Sequence, residues 1–185
     1  MVTRLVKVVA ALAIGALALV ACSTTPGTAA TVNGRTITEA QVSQASAEMS
    51  EVLGLQVDRQ QMLSRLVSTP TVAAVAQQHG IAASDTESAE VLARQAESVG
   101  AAVPEDGFSA PTLVIAQSLI LEQMVQAAPN AEQIANQIET GRAEMDVQLS
   151  PRYGQWDAET GPVPAPPEWI HQSATPVEPA ENTGG

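Results

Sequence analysis

The sequence predicts a mainly α protein: a helical domain with a short β-hairpin joined by a returning C-terminal strand, followed by a disordered tail. Three observations lead there. Apolar residues recur at helical spacing through most of residues 39–145, in stretches that open on Ser, Thr, Asp or Asn and several of which close on glycine. Alanine is abundant in that stretch and Phe108 is its one aromatic, so the core is expected to be shallow, made of Leu, Ile, Val and Met between closely spaced helices, and of modest stability. Short extended segments flank the helical stretch, one carrying Asn-Gly.

Taken in order, residues 1–21 have the form of a secretory signal peptide. Arg4 and Lys7 give a basic start, and residues 8–21 are uncharged. That run falls short of the roughly 20 residues needed to span a bilayer and suits a signal sequence. It ends in Leu19-Val20-Ala21-Cys22, which resembles the bacterial lipobox, and Cys22 is the only cysteine of the 185 residues. A lone cysteine in an exported chain is a stray thiol or has another use. The resemblance implies that the Cys22 thiol receives a diacylglyceryl group and becomes the new N-terminus, with acyl chains such as palmitate holding the protein to the membrane. Cys22 is then a tether with no redox or catalytic part.

Residues 22–29 are small and polar, a lipidated linker. In Ala30-Thr31-Val32-Asn33-Gly34-Arg35-Thr36-Ile37-Thr38 the Asn-Gly pair predicts a tight turn between two strands too short to stand alone, so a third strand is expected. Val147 and Leu149, alternating with polar neighbours in residues 146–150, supply the candidate. Thr38 is placed to cap a helix with Val42, Met49, Val52 and Leu53 on one face and Gly54 at its end. Asp58 opens another with Met62, Leu63, Leu66 and Val67. Pro70 is expected to interrupt it, with Ser68 or Thr69 capping a new helix that ends at His79-Gly80. Ser84-Asp85-Thr86-Glu87 is a capping box for a helix running to Gly100. Ser109 is expected to cap residues 111–127, apolar on most faces and so the central helix, and Asn130 to cap a last helix through Ile134 and Ile138. The domain is bounded at residues 30–157; residues 158–185, rich in proline and poor in aliphatics, form the disordered tail.

Charge narrows the partners. The whole chain carries −12; loss of residues 1–21 removes Arg4 and Lys7, lowering the basic count from 8 to 6 and the net charge to −14. Such a chain does not bind nucleic acid by neutralising phosphate, nor adhere to anionic lipid. His79 and His171 are the only histidines, and no clustered carboxylates or further cysteines complete a metal site; no metal and no cofactor are expected. No Gly-x-Ser-x-Gly elbow and no phosphate loop occurs, so no catalytic constellation can be assembled. Met49, Met62, Met124 and Met145 either line an adaptable groove or fill core gaps.

The order of the pieces is distinctive. The hairpin at residues 30–38, then helices, then Gln77-Gln78-His79-Gly80-Ile81-Ala82-Ala83-Ser84-Asp85-Thr86-Glu87, then Leu149-Ser150-Pro151-Arg152-Tyr153-Gly154-Gln155-Trp156-Asp157, resembles the N-terminal domain of SurA-type periplasmic chaperones, and most of all the short lipoprotein members from actinobacteria. The resemblance covers roughly residues 30–157. It implies a C-terminal segment returning beside the first strand, with Tyr153 and Trp156 set against the domain. Full-length relatives insert a parvulin-type prolyl isomerase before that segment. Here residues 107–146 hold two helices, one aromatic and no histidine, so isomerase activity does not carry over. The resemblance and the lipobox together imply a non-enzymatic lipoprotein on the extracytoplasmic face of the cell membrane, holding exported or unfolded polypeptides. The alternative is docking of one fixed partner in an envelope complex. Ile115, Leu119 and Met124 are expected to border a peptide-binding groove, or else to belong to the core.

Overall fold

The computed structural model describes residues 26–164. The signal peptide, Cys22 and all but the first residues of the expected tail lie outside them. Two strands, β1 (Thr28–Val32) and β2 (Arg35–Thr38), are followed by five helices: α1 (Glu39–Leu53), α2 (Arg59–Gln78), α3 (Asp85–Val99), α4 (Ala110–Gln126) and α5 (Ala131–Ala143). The chain then returns through β3 (Val147–Leu149), a short 3₁₀ turn at Pro151–Tyr153, β4 (Gln155–Asp157) and β5 (Gly161–Val163). The protein is mainly helical, with a small antiparallel sheet.

Asn33 and Gly34 both take positive φ, 49° and 80°, and Val32 faces Arg35, the geometry of a two-residue hairpin turn. The hairpin finds its third strand as expected. The sheet order is β2-β1-β3, with Thr31 opposite Gln148 and Val32 opposite Val147. Asn33 pins that pairing twice, donating its N–H to the Asp146 carbonyl at 2.8 Å and accepting the Asp146 N–H on its side chain at 2.9 Å. The strand starts two residues before the expected domain boundary: Thr28 and Ala29 belong to β1, and Ala29 is fully buried instead of lying in a linker.

The helix ends follow the sequence at α1, α2 and α3. Thr38 and Ser84 form capping boxes with Gln41 and Glu87, Asp58 caps Gln61, and Gly54 and Gly100 close their helices in the left-handed conformation. Pro70 is different, because α2 runs unbroken through it. A proline inside a helix removes the hydrogen bond to the carbonyl four residues earlier, here that of Leu66. That carbonyl is taken up by Arg35 of β2, whose Nη2 donates to it at 3.4 Å. The long-range partner lets the helix continue where local rules place a break. Ser109 and Asn130 also depart from expectation, since neither makes a side-chain capping bond. Ser109 instead presents its own N–H and hydroxyl to the Glu48 carboxylate of α1, at 3.0 and 2.9 Å, placing a negative charge at the start of α4.

Helix α4 is central, touching α1, α2, α3 and α5. The core has two parts. The larger gathers β1, α1, the first half of α2 and the start of α4; the smaller joins Val75 and Ala76 to Leu121, Val125 and Ile134. The returning segment is bound through Glu39, whose carboxylate accepts the Tyr153 hydroxyl at 2.9 Å and pairs with Arg59 at 3.2 Å and Arg152 at 3.4 Å. Burial pushes the Tyr153 phenol above its ordinary value, partly opposed by Arg59. The folded part also extends past the expected boundary at residue 157. Strand β5 pairs with β4, Gly161 is buried against Ser64, and the Pro162 carbonyl accepts from Gln60 at 2.9 Å.

Candidate functional site

The expected groove residues are not gathered on one surface. Ile115 is 1 % exposed and part of the larger core, because α1, α2 and α3 together cover the inner faces of α4. Leu119 and Met124 are each 40 % exposed. Five positions separate them, about 140° around a helix, so they look out on different sides. Ile115 therefore takes the core alternative, and the outer face of α4 carries isolated apolar side chains.

A tighter group of exposed aliphatics lies where α1 and α3 both end. Leu55 follows the C-cap of α1 and is 57 % exposed; Val99 is the last residue of α3 and is 44 % exposed; Val103 in the following loop is 40 % exposed. The two helix ends are close in space: a Cβ on Gly54 would stand 3.6 Å from the Val99 Cβ. Val91, two turns earlier on α3, continues the exposed aliphatic side chains along that helix. Leu53, Val57 and Ala101, half-buried beneath, pack on the core and support the group. The sequence holds a signal for it. Leu55 and Val103 stand outside any helical apolar stripe, in segments where a polar residue is the ordinary choice.

On another side of the molecule, α2, α4, α5 and the β4–β5 turn enclose a cleft of about 290 Å³. Its walls are polar. Arg65, Glu122, Arg142 and Glu159 supply charges, Ser64, Ser68 and Thr160 supply hydroxyls, and Val72 is its one aliphatic. Arg65 is occupied, donating to Glu122 at 2.8 Å and to Ser118 at 3.0 Å. Arg142 sits 5.9 Å above the Trp156 ring, which sets Trp156 against the domain. The turn that carries Glu159 and Thr160 is knotted by Asp157, whose Oδ1 accepts three bonds: from the Glu159 N–H at 3.0 Å, the Thr160 N–H at 2.7 Å and the Thr160 hydroxyl at 2.8 Å. Those donors, the Thr160 amide above all, hold the Asp157 carboxyl below its ordinary value.

His79 has a structural part. With Nε2–H donated to Gln137 at 2.7 Å and Nδ1 accepting from Asn130 at 3.1 Å, a neutral ring ties the end of α2 to α5. This also explains why Asn130 is not available to cap its own helix. His171 and the expected lipidation residue Cys22 lie outside the described residues. Among the described residues, no group of three or more His, Cys, Asp or Glu is placed to hold a metal ion, and no helix is long and apolar enough to cross a membrane. Compared with family models, with curated proteins and with solved structures, the chain matches none.

Proposed function

We propose that the protein is a lipid-anchored, extracytoplasmic holding factor without isomerase activity, in which the aliphatic group at the shared end of α1 and α3 contacts apolar stretches of exported, unfolded polypeptides. The observation that carries this is the exposure of Leu55, Val99 and Val103 together, supported from below by core residues. Apolar side chains grouped at the surface of a small domain with a thin core mark a contact surface. The resemblance of the hairpin and of residues 149–157 to SurA-type N-terminal domains supports the same reading, as does the arrangement β2-β1-β3. Burying three aliphatic side chains contributes about 1.5–3 kcal/mol each, opposed by the ordering of an unfolded client. The net affinity is then about micromolar or weaker.

Residues 22–185 bearing Cys22→Ala, mixed with a refolding model protein, are expected to suppress its aggregation near stoichiometric ratio. Leu55→Ser with Val99→Ser weakens that effect while the circular dichroism spectrum stays unchanged. An equal effect of the double variant and the parent rules out this surface, and no suppression at large excess rules out the holding activity. The small extent of the group favours a second reading, docking of one fixed envelope partner. Crosslinking from membranes separates the two, since many captured clients support holding and one stoichiometric protein supports docking. The anchor has its own test. Cys22→Ala moves the protein out of the membrane fraction, or leaves it uncleaved, whereas unchanged fractionation and migration refute lipidation.

A further inference from the structure

We propose that the cleft between α2, α4, α5 and the β4–β5 turn binds a small zwitterion of the α-amino-acid class, with its carboxylate on Arg142 and its ammonium group toward Glu159. The assignment is independent of polypeptide holding and comes from the bonds that the cleft leaves unmade. Two of its four charges, Arg65 and Glu122, satisfy each other at 2.8 Å. The other two do not pair. Arg142 has no carboxylate within 4.0 Å among the described residues, and its Nε is buried with no hydrogen-bond partner. The Trp156 ring beneath it offsets part of the charge but accepts none of the guanidinium N–H bonds. A buried donor left without a partner costs roughly 1–3 kcal/mol, and a planar carboxylate is the acceptor that a stacked guanidinium fits best. Glu159 is exposed on the cleft wall and makes no ion pair among the described residues, which leaves an acceptor for a cation in the same hollow.

The remaining walls narrow the ligand. A volume of about 290 Å³ stands at the small end of the ~300–1,000 Å³ that ligand clefts span, and suits a molecule of amino-acid size. One aliphatic, Val72, excludes a largely apolar ligand. Two carboxylates in the cleft and a chain of net charge −12 oppose a dianion such as phosphate, so an anion that brings its own positive charge is favoured. Gln61, Ser64 and Ser68 line the α2 side with the hydroxyl and amide groups that such a polar ligand meets. The β4–β5 turn is fixed in place by the Asp157 knot and by Gln60 on the Pro162 carbonyl, so Glu159 is carried on a built wall.

Trp156 gives the readout. In residues 22–185 with Cys22→Ala and Trp169→Phe it is the sole tryptophan, and it lies directly under Arg142. Titrating L-glutamine is expected to shift its emission saturably with a Kd of about 1 mM or tighter. Acetate and methylamine, each supplying one of the two charges, are expected to bind about tenfold more weakly or not at all, and inorganic phosphate likewise. Arg142→Lys, which keeps the charge but loses the planar fork, and Glu159→Gln each weaken L-glutamine by about tenfold. Should Arg142→Lys fail to fold, the exposed Glu159→Gln decides. The proposal is overturned by the absence of saturation up to about 20 mM, which places any site outside useful affinity. It is overturned equally by acetate or phosphate matching L-glutamine, or by Glu159→Gln binding as the parent does.

Discussion

Substituting Arg35 isolates a single physical event, the rescue of a carbonyl orphaned by proline. In α2 the Leu66 carbonyl lacks its helical donor because residue 70 is proline, and Arg35 supplies one from outside at 3.4 Å. A hydrogen bond from a charged donor contributes about 1.5–3 kcal/mol when well made. At this length, with Arg35 itself exposed, the lower end applies, so Arg35→Met is expected to cost about 1 kcal/mol. For a domain of this size that lowers Tm by roughly 3–5 °C. Pro70→Ala restores the helical N–H to Leu66 and stabilises, by about 1–2 kcal/mol and not the ~3 of an unsupported helix interior, since Arg35 already meets part of the cost. In the Pro70→Ala background Arg35 has no orphan left to serve, so Arg35→Met becomes nearly silent. Urea titrations of the four proteins give the coupling directly, expected at about 0.5–1 kcal/mol. Equal costs of Arg35→Met in both backgrounds would refute the mechanism.

The remaining expectations concern capping, the C-terminal hairpin and acid. Glu48→Ala removes the carboxylate that serves the start of α4 and costs about 1–2 kcal/mol by denaturant titration; adding Ser109→Ala to it changes little, because the two act through one contact. Truncation after residue 157 removes β5, the Gly161–Ser64 contact and the Gln60 bond, and lowers Tm by several degrees, while truncation after residue 164 leaves it unchanged; coincident melts of the two would sink the assignment of β5 to the folded body. Glu87 and Asp157 both have carboxyls held below their ordinary values of 4.5 and 3.8, by bonds from Ser84 and from Thr160 respectively. Their contribution is therefore complete above those values and is lost as pH falls through the lower folded ones. Glu87→Gln and Asp157→Asn should each flatten the acid limb of a Tm-against-pH curve, and a parallel curve would speak against the caps.

Local chemistry was legible where a few neighbouring residues decide the outcome. Asn33-Gly34, the two capping boxes and the closing glycines of α1 and α3 each act within one turn, and each stands where the residues place it. The third strand was legible for a physical reason too: a lone three-residue hairpin is not stable, so a partner had to exist. What failed was decided at a distance. Nothing near Pro70 announces that Arg35, 31 residues before Leu66 in the chain, will meet the Leu66 carbonyl, and nothing near Ser109 points to Glu48. Ile115 belongs to a helix apolar on most faces, and periodicity alone does not say whether three neighbours cover it or two. Strand β5 reads Gly-Pro-Val, residues poor in strand propensity except for the last, and its place comes from pairing with β4 and seating against Ser64. Arg142 gave no signal beyond being one of six arginines left after residues 1–21 are removed, because its distinction is an unmade bond.

The double bond between Asn33 and Asp146 and the seat of Tyr153 on Glu39 join residues 113 and 114 positions apart. A chain made from its N-terminus carries β1 and α1 early but cannot close the sheet or the Glu39 cluster until its last elements have emerged. Non-local closure of this kind slows folding and postpones it to the end of synthesis. Helices form and fray in the meantime, since none is long enough to be stable by itself without packing. For most of its elongation the polypeptide therefore stays loose enough to be drawn through a narrow channel, and it sets into its final shape only once its C-terminal quarter has come free.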